Sequence, residues 1–575
     1  MGWNNRWLLP LLWCLPLWAG AGTPRLTLEL QPATPAMAER LRAGLTLARR
    51  GCDTPQWRLS HDRLLARREL KEGLRAFGYY QPVIEQSFSQ AKECWALRFH
   101  IELGTPVRIS QVNIELTGAA RTDPDFRALL ADPGLRVGQR LEHEKYEAIK
   151  ARLLSLAGAR GYLDARFTRH ELRVDPVTHQ AWIELAFDSG GRYRISKIRF
   201  QVSGLEPEFI RSLFPIHAGD WYSSEGIAKL DRALTESGYF ASVEVKPLLN
   251  EMADQRIPLQ LELHKRKRHR WRLGAGADTN TGPRLSLEYE NRYASSSGDS
   301  LSMRLRTSPV ESELGVEYRI PMADPLNQQL SLRGGYQRED TDTTRSDQYS
   351  LGLRHSRTRG NWIFNQFIDL SVERSTVADL TQQATLLIPG VSLDGVIADR
   401  RLKPNRGLRL NGELKGGHDR LLSDVSFLQL KLRAKGVYRL FASGRLIGRV
   451  ELGGTLTDDF EQLPASLRFF AGGDNSVRGY GYKTLGPERD GQVVGGQNLL
   501  TASIEYEQHI HGNWSLALFS DAGNAFDGDS FRLQRSLGVG VRWDWQVARL
   551  RIDLAFPEDT SKDDFRIHFS MGTDL

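Results

Sequence analysis

Residues 266–575 alternate between apolar and polar side chains in short runs, which Gly, Asn, Asp and Ser turns separate. In one such run the apolar side chains occupy every second position: Leu550, Ile552, Leu554 and Phe556. Lipid outside a barrel and water inside it select this period of two, and a segment of this length holds about sixteen to eighteen strands. After the N-terminal segment no run of about 18 apolar residues provides a transmembrane helix. We therefore expect a transmembrane antiparallel β-barrel of about sixteen strands.

A soluble β-sandwich is the alternative, because its strands also alternate, but it would leave two sheet edges exposed. The N-terminus favours export. Trp7 to Trp18 is an apolar run, and Ala19 to Ala21 has the small-residue pattern of a signal-peptidase site. We predict that residues 1–21, which include Cys14, are a signal peptide and take no part in the fold.

A Gly-aromatic turn occurs three times, at Gly78-Tyr79, Gly161-Tyr162 and Gly238-Tyr239, with spacings of 83 and 77 residues. Each turn follows a segment of helical period and precedes strands, and residues 107–114 match residues 193–200. A single Gly-aromatic pair is often an ordinary helix end. Three copies with matching strand openings favour one α+β domain repeated three times, in the order strand, two helices, two strands.

Two cysteines, Cys52 and Cys94, remain after the predicted signal peptide. In an exported chain they suit one disulfide in the first repeat, with two unpaired buried thiols as the alternative. The formal net charge of +7 does not by itself imply nucleic acid. The basic run Lys265 to Arg270 favours contact with anionic lipid head groups, and a solvated linker is the alternative.

No motif in the sequence pairs a nucleophile with a His base, and none has the spacing of metal ligands. We therefore expect a chain that is not an enzyme and that uses no cofactor and no metal.

Two motifs of the barrel segment carry the mechanistic signal. The Gly-rich stretch Phe469 to Tyr480 contains Val477-Arg478-Gly479-Tyr480, and Phe519 to Gly523 reads F-x-D-x-G. Strand alternation points Phe519 and Asp521 into the lumen and the following residues toward lipid: Trp514, Leu516 and Leu518.

These motifs resemble those of the POTRA-barrel superfamily of outer-membrane assembly and secretion proteins, in which the VRGY loop folds back into the lumen. An arginine in a barrel of restricted water content needs an acceptor. We predict a latch from Arg478 to Asp521 that involves the flanking residues Val477, Gly479, Tyr480, Phe519 and Gly523. A solvated Arg478 beside a turn-forming Asp521 is the alternative.

The predicted first strand, near Arg270 to Thr279, contains Gly274 and Gly276, which remove side chains that would pack and leave its pairing weakly specified. The predicted last strand carries apolar residues at every second position: Phe565, Ile567, Phe569 and Met571. The resemblance implies that this seam opens so that a client strand adds to the exposed edge. The alternative is that the glycines relieve crowding in the lumen.

Within the superfamily the chain resembles the TamA family, on three repeats, the barrel length, the Gly78 to Pro82 turn and the ending Met571 to Leu575. The resemblance implies three periplasmic POTRA domains before an outer-membrane barrel. We expect residues 22–104, 105–190 and 191–265 to be these domains and residues 266–575 to be the barrel.

The same resemblance implies assembly or secretion of autotransporters and other outer-membrane proteins, with a TamB-like inner-membrane-anchored periplasmic partner. Outer-membrane lipids are further expected partners, and nucleic acid is not. A lipid channel linked to the TamB-like protein and a two-partner secretion transporter are the alternatives.

Overall fold

The computed structural model describes residues 24–90, 94–400, 404–441, 443–528, 530–545, 549–559 and 564–572. The predicted signal peptide, residues 1–21, lies outside the described residues. None of the helices in the described ranges is long and apolar enough to cross a membrane. The first two repeats and part of the third form one compact unit, and the remainder of the third forms another with the barrel segment.

The first repeat has the predicted order of one strand, two helices and two strands. Its elements are β1 (Arg25–Gln31), α1 (Pro35–Gly44), α2 (Gln56–Ala76), β2 (Val83–Gln90) and β3 (Trp95–Glu102). Strand β3 lies at the centre of the sheet, parallel to β1 and antiparallel to β2. Helix α2 buries a stripe at helical spacing against the sheet: Leu59, Ala66, Leu70 and Leu74.

The second repeat has the same order. Its elements are β4 (Arg108–Thr117), α3 (Pro124–Ala131), α4 (His143–Arg160), β5 (Arg166–Asp175) and β6 (Gln180–Asp188). Those of the third repeat are β7 (Arg194–Phe200), α5 (Pro207–Ser212), α6 (Ser224–Glu236), β8 (Phe240–Pro247) and β9 (Arg256–Lys265). Both sheets again have their last strand in the middle, in the orders β4-β6-β5 and β7-β9-β8. The predicted boundaries at residues 104, 190 and 265 remain predictions.

The first two Gly-Tyr turns contact the repeat that follows them. The Val107 amide donates to the carbonyl of Gly78 at 2.8 Å, and the Tyr193 amide donates to the carbonyl of Gly161 at 2.8 Å. Gly78 and Gly161 have φ values of 87° and 86°, as glycine allows. A Cβ at Gly78 would lie 2.4 Å from the carbonyl oxygen of Leu141 in the following repeat. The turn therefore needs glycine both for its backbone conformation and for close packing between repeats.

Sixteen strands form one antiparallel sheet in sequence order, which confirms the predicted barrel of about sixteen strands. The first eleven are β10 (His269–Asp278), β11 (Gly282–Asn291), β12 (Ser300–Thr307), β13 (Glu311–Pro321), β14 (Gln328–Asp340), β15 (Thr344–Arg359), β16 (Trp362–Val377), β17 (Leu380–Ala398), β18 (Arg406–Gly417), β19 (Phe427–Arg439) and β20 (Gly444–Thr457). A long loop follows, with the short strands β21 (Glu488–Arg489) and β22 (Gln492–Val493). The last five strands are β23 (Asn498–His511), β24 (Trp514–Phe526), β25 (Gln534–Asp544), β26 (Arg549–Pro557) and β27 (Arg566–Gly572).

The two faces of the barrel strands differ as the alternation predicts. On β24 the side chains that point outward are about half exposed or more: Trp514, Leu516 and Leu518. The side chains between and beyond them on the other face are buried: Ser515, Ala517, Phe519 and Asp521. Phe565 was expected in the last strand but precedes β27, which begins at Arg566 with the first residue that pairs with β26.

Candidate functional site

The loop between β20 and β23 folds as a hairpin. Phe469 and Gly496 exchange backbone hydrogen bonds of 2.9 and 2.8 Å, and Ala471 and Leu485 exchange bonds of 2.9 and 3.0 Å. The Gly473 amide then donates to the carbonyl of Tyr480 at 3.2 Å. The tip of the hairpin is therefore residues 474–479, which include Arg478. We call residues 469–486 the lumen loop.

Arg478 and Asp521 of β24 form a bidentate pair. The Arg478 Nε donates to Oδ2 of Asp521 at 2.7 Å, and Nη2 donates to Oδ1 at 2.9 Å. The backbone amide of Arg478 adds a third bond to Oδ2 at 3.0 Å. Arg478 is 4% exposed and Asp521 is 0% exposed. This is the contact that the two motifs predicted, and its burial makes each ion dependent on the other.

Two further acids complete the surroundings of Arg478. Its Nη1 donates to Glu505 of β23 at 2.7 Å and to Asp553 of β26 at 3.1 Å. Arg542 of β25 binds the same two acids, at 2.8 Å to Glu505 and 2.5 Å to Asp553. We call these five residues, Arg478, Asp521, Glu505, Asp553 and Arg542, the latch cluster.

The latch cluster holds two cations and three anions. Arg449 of β20 acts electrostatically on Asp521 and donates to the loop carbonyls of Asp474 and Ser476 at 3.4 and 3.3 Å. Arg542 also lies 3.5 Å from buried Glu507, which binds Arg445 and Arg549, so the array of paired charges extends beyond the latch cluster. Charges that are withdrawn from water need such partners of opposite sign.

Residues on either side of Arg478 hold the lumen loop by different means. Val477 is 0% exposed and packs in an apolar cluster with Phe469 and Leu499. The Gly479 amide donates to Nε2 of His568 on β27 at 2.8 Å, and the Tyr480 hydroxyl donates to Gln534 of β25 at 3.0 Å. The Val-Arg-Gly-Tyr motif thus combines an apolar, an ionic and two polar contacts.

Two other residues of the F-x-D-x-G motif, Phe519 and Gly523, also support the position of Arg478. The guanidinium of Arg478 lies 3.4 Å from the centre of the Phe519 ring, which is a cation–π contact. A Cβ at Gly523 would lie 2.3 Å from the carbonyl oxygen of Leu500, so β23 and β24 approach closely at this position. The motif residues therefore support the latch through the ring, the acid and the strand spacing.

Strands β10 and β27 are the two edges of the sixteen-stranded sheet. Across the described part of this seam no ladder pairs them, and the backbone bond between them runs from the Thr279 amide to the Phe569 carbonyl at 3.1 Å. The Thr279 hydroxyl accepts from the Phe569 amide at 3.1 Å. By contrast, β10 pairs with β11 over all ten of its residues.

The predicted seam residues occupy both faces of these edge strands. Gly274 and Gly276 alternate with outward-facing Leu273, and a Cβ at Gly276 would lie 4.0 Å from Cε of Met571. Ile567 on β27 is 55% exposed, while Phe569 is partly buried. On the face opposite Leu273, the glycines remove the side chain at two successive positions between Arg272 and Asp278.

Sequence reasoning assigned no role to Glu505, Arg542, Asp553, His568 or Asp474. Strand alternation already placed Glu505, Arg542 and Asp553 on the polar face, so the signal was a charged residue at a lumen position. Nothing in the pattern indicated that β23, β25 and β26 bring these charges to one depth. The depth of each charge in the barrel is set by the register between neighbouring strands.

A polar cavity of about 470 Å³ lies beside strands β11–β18. Its lining includes Arg354, Glu413 and the pair of Arg333 with Asp369, whose atoms lie 3.0 Å apart. Within the described ranges no group of three or more His, Cys, Asp and Glu side chains is placed to hold a metal ion. The cavity is thus a charged compartment on the strands away from the latch cluster.

In the first repeat, Cys52 and Cys94 are joined by a disulfide with their Cα atoms 4.8 Å apart. The bond ties the loop before α2 to the start of β3.

Comparison with known proteins agrees with this arrangement. Residues 240–575 match the model of the Omp85 superfamily domain. Residues 27–103 match the model described as POTRA domain TamA domain 1, and residues 193–266 match the surface antigen variable number repeat, a POTRA model.

One curated relative is the outer membrane protein assembly factor BamA of Nitratidesulfovibrio vulgaris (strain Hildenborough). It is 27% identical over 187 residues, which are 30% of this chain and 24% of that protein. The matched region therefore spans about a quarter of the relative.

The solved structure of BamA from Haemophilus ducreyi lacking POTRA domains 1–3 covers 81% of this chain and 100% of its own, with 17% identity and a TM-score of 0.69. It shares the fold. Because the superfamily model matches more than half of the chain, this protein belongs to the Omp85 superfamily, with an outer-membrane β-barrel preceded by periplasmic POTRA domains.

Proposed function

We propose that the protein inserts or exports other outer-membrane proteins, autotransporters among them, by opening the seam between β10 and β27. The observation that carries this proposal is the weak seam. The other neighbouring strands of the sheet are paired by ladders, whereas the described residues of β10 and β27 meet through Thr279 and Phe569. An edge strand with free backbone groups binds an incoming strand by β-augmentation.

The lipid-facing surface of the seam supports the same proposal. Trp271 and Leu273 on β10 are 64% and 86% exposed, so the edge of the barrel is apolar on its outer side. The apolar face of a client strand that paired with β10 would contact lipid. The client would thus enter the bilayer with its backbone hydrogen bonds satisfied.

A TamB-like inner-membrane-anchored periplasmic protein is the proposed partner. The match of residues 27–103 to a model named for TamA domain 1 supports this choice, and we propose the first repeat as the docking surface. Strand β2 is an edge of the first sheet, and its Val83 is 54% exposed. Lipid transport with the same partner is a second cargo hypothesis.

A reversible lock across the seam tests the proposal. A cysteine at Gly276 is paired in turn with cysteines at the positions of β27 from Ile567 to Met571, and the pair that forms a disulfide joins β10 to β27. The matched control places cysteines at Leu287 and Leu305, which face each other on β11 and β12. Surface display of an autotransporter is measured with and without reductant in cells that lack the native copy.

We expect display to be lost when the seam is locked, to return on reduction, and to be unaffected by the control pair. Unchanged display with the seam cross-link confirmed would contradict lateral opening. The protein would then act with a closed barrel, as a scaffold for the TamB-like partner, as a lipid channel, or as a two-partner secretion transporter.

A further inference from the structure

Asp474, at the tip of the lumen loop, lies between the two edge strands of the barrel. Its Oδ1 accepts from the Thr279 hydroxyl at 2.8 Å, next to the end of β10. The same oxygen lies 2.5 Å from Nδ1 of His568 on β27. The side chains of Asp474 and His568 are 6% and 3% exposed. One buried carboxylate therefore contacts both sides of the seam.

The hydrogen bonds of His568 define its tautomer. Nε2 accepts from the Gly479 amide at 2.8 Å, so this nitrogen carries no proton. Nδ1 then carries the proton and donates it to Asp474, which is a charge-assisted bond. Each polar atom of the ring consequently binds the lumen loop.

The same loop backbone links these contacts to the latch cluster. Arg478 binds Asp521, Glu505 and Asp553, and the next residue, Gly479, binds His568. His568 is also the cross-strand partner of Asp553 on β26. A movement of Arg478 out of its acid cluster would pull the Gly479 amide away from His568.

We infer that Asp474, His568 and Thr279 form a clasp through which the lumen loop holds the barrel seam closed. Release of the loop from the latch cluster and separation of β10 from β27 are then one coupled event. This inference rests on the proposed function for its purpose, but the clasp itself is a property of the closed barrel. The three clasp residues are positioning residues, since they set the seam and do not contact a client.

The seam distance in the full-length protein tests the clasp. Spin labels on cysteines at Leu273 and Ile567 stand on opposite edge strands, at positions that are 86% and 55% exposed. The native cysteines Cys52 and Cys94 are bonded to each other and do not take label. Double electron–electron resonance in lipid nanodiscs, without client, then gives the fraction of molecules with a widened seam.

We expect Asp474→Ala to raise the ratio of wide to narrow seams about ten-fold, as loss of one charge-assisted hydrogen bond predicts. Thr279→Val removes only the hydroxyl and should shift the ratio in the same direction. Asn475→Ala is the matched control, because Asn475 is the exposed next residue of the same loop. Because Thr279→Val also removes the acceptor of the Phe569 amide, Asp474→Asn, which removes the charge and keeps the size, carries the test if Asp474→Ala does not fold.

Coupling between loop and seam is tested with Arg478→Lys, which loses the bidentate geometry. We expect it to widen the seam in the otherwise native chain and to add little in the Asp474→Ala chain. Unchanged seam distances in folded Asp474→Ala and Thr279→Val proteins would overturn the clasp. Fully additive effects of Arg478→Lys and Asp474→Ala would overturn the coupling.

Autotransporter display in the same variants separates the clasp from the proposed function. Wider seams in Asp474→Ala, together with display that survives the disulfide lock, would support the clasp and refute lateral opening. Display that needs an open seam, with distances unchanged in the clasp variants, would support lateral opening and refute the clasp.

Discussion

The side chains of Arg478 and Asp521 meet through two parallel hydrogen bonds of 2.7 and 2.9 Å, and both are buried. They are 43 residues apart in the chain, one on a loop and the other on a strand. The lumen loop is thus held in the barrel by a buried ion pair. Loss of one partner is strongly destabilising, because the other charge is left buried without compensation.

Replacement of Arg478 by alanine is predicted to destabilise the barrel by about 3–5 kcal/mol, because buried Asp521 loses the arginine that binds it, while Glu505 and Asp553 keep Arg542. The measurement is urea unfolding in lipid vesicles, followed by the gel shift of the folded barrel. Arg489→Ala is the matched control: Arg489 follows the lumen loop, and its pair with Glu461 is 57% and 62% exposed. We expect this control to lose at most about 1 kcal/mol. Equal losses in the two variants would show that the latch contributes no special stability.

The three Gly-Tyr turns allow an internal comparison. Gly78, Gly161 and Gly238 all have φ between 83° and 87°, so alanine costs about 1 kcal/mol of backbone strain at each. A Cβ at Gly78 or Gly161 would also lie 2.4 or 2.3 Å from a carbonyl oxygen of the following repeat, whereas none of the described atoms lies within 4 Å at Gly238. We predict faster hydrogen exchange around residues 105–110 in Gly78→Ala and around residues 191–195 in Gly161→Ala. Gly238→Ala should show only local strain, and an equal effect at all three positions would refute packing between repeats as the cause.

Asp123 makes the second repeat sensitive to acid. Burial by itself would raise the pKa of Asp123, but hydrogen bonds from the Asp125 amide, the Tyr162 hydroxyl and Arg160 outweigh it and hold the pKa below its usual value. Because the pKa of Asp123 is lower in the folded than in the unfolded state, ionised Asp123 stabilises the fold fully above the ordinary pKa of an aspartate. This contribution is lost as the pH falls through that value toward the folded pKa.

We predict that hydrogen exchange in α3 and α4 speeds up as the pH falls below about 4, after correction for intrinsic exchange. Asp123→Asn should lower protection at neutral pH and flatten this dependence. The same pH dependence in both proteins would exclude Asp123 as its source.

The disulfide between Cys52 and Cys94 should stabilise the first repeat specifically. It closes a sequence separation of 42 residues, for which loop-closure entropy predicts about 4 kcal/mol. Replacing both cysteines by serine should therefore speed hydrogen exchange in α2 and β3, and α4 of the second repeat is the internal reference. Unchanged protection in α2 would show that the apolar core alone sustains this repeat.

Much of the fold was predictable because its signals are local. A period of two places Leu516 and Leu518 on one face and Phe519 and Asp521 on the other, whatever the neighbouring strands are. The helix ends at Gly78 and Gly161 are equally local, since only the backbone conformation of the turn requires glycine. That these turns also contact the following repeat is not visible in the sequence, because the contact depends on the path of the next domain.

The contact between Arg478 and Asp521 was only partly predictable from local signals. Alternation pointed Asp521 into the lumen, but the assignment of Arg478 to it rested on the resemblance of both motifs to a family. The last strand was predicted from its period, yet its start was placed one residue early, because an apolar Phe565 continues the pattern where pairing with β26 has not begun.

What the sequence by itself determined is the kind of each element and the face of each side chain, because these follow from backbone geometry and the medium on either side. Only the tertiary structure decided which charges share one depth, as Glu505, Arg542 and Asp553 do around Arg478. It also decided that Asp474 reaches both Thr279 and His568. Register between distant strands and the return path of a loop depend on the whole closed sheet, and no local pattern encodes them.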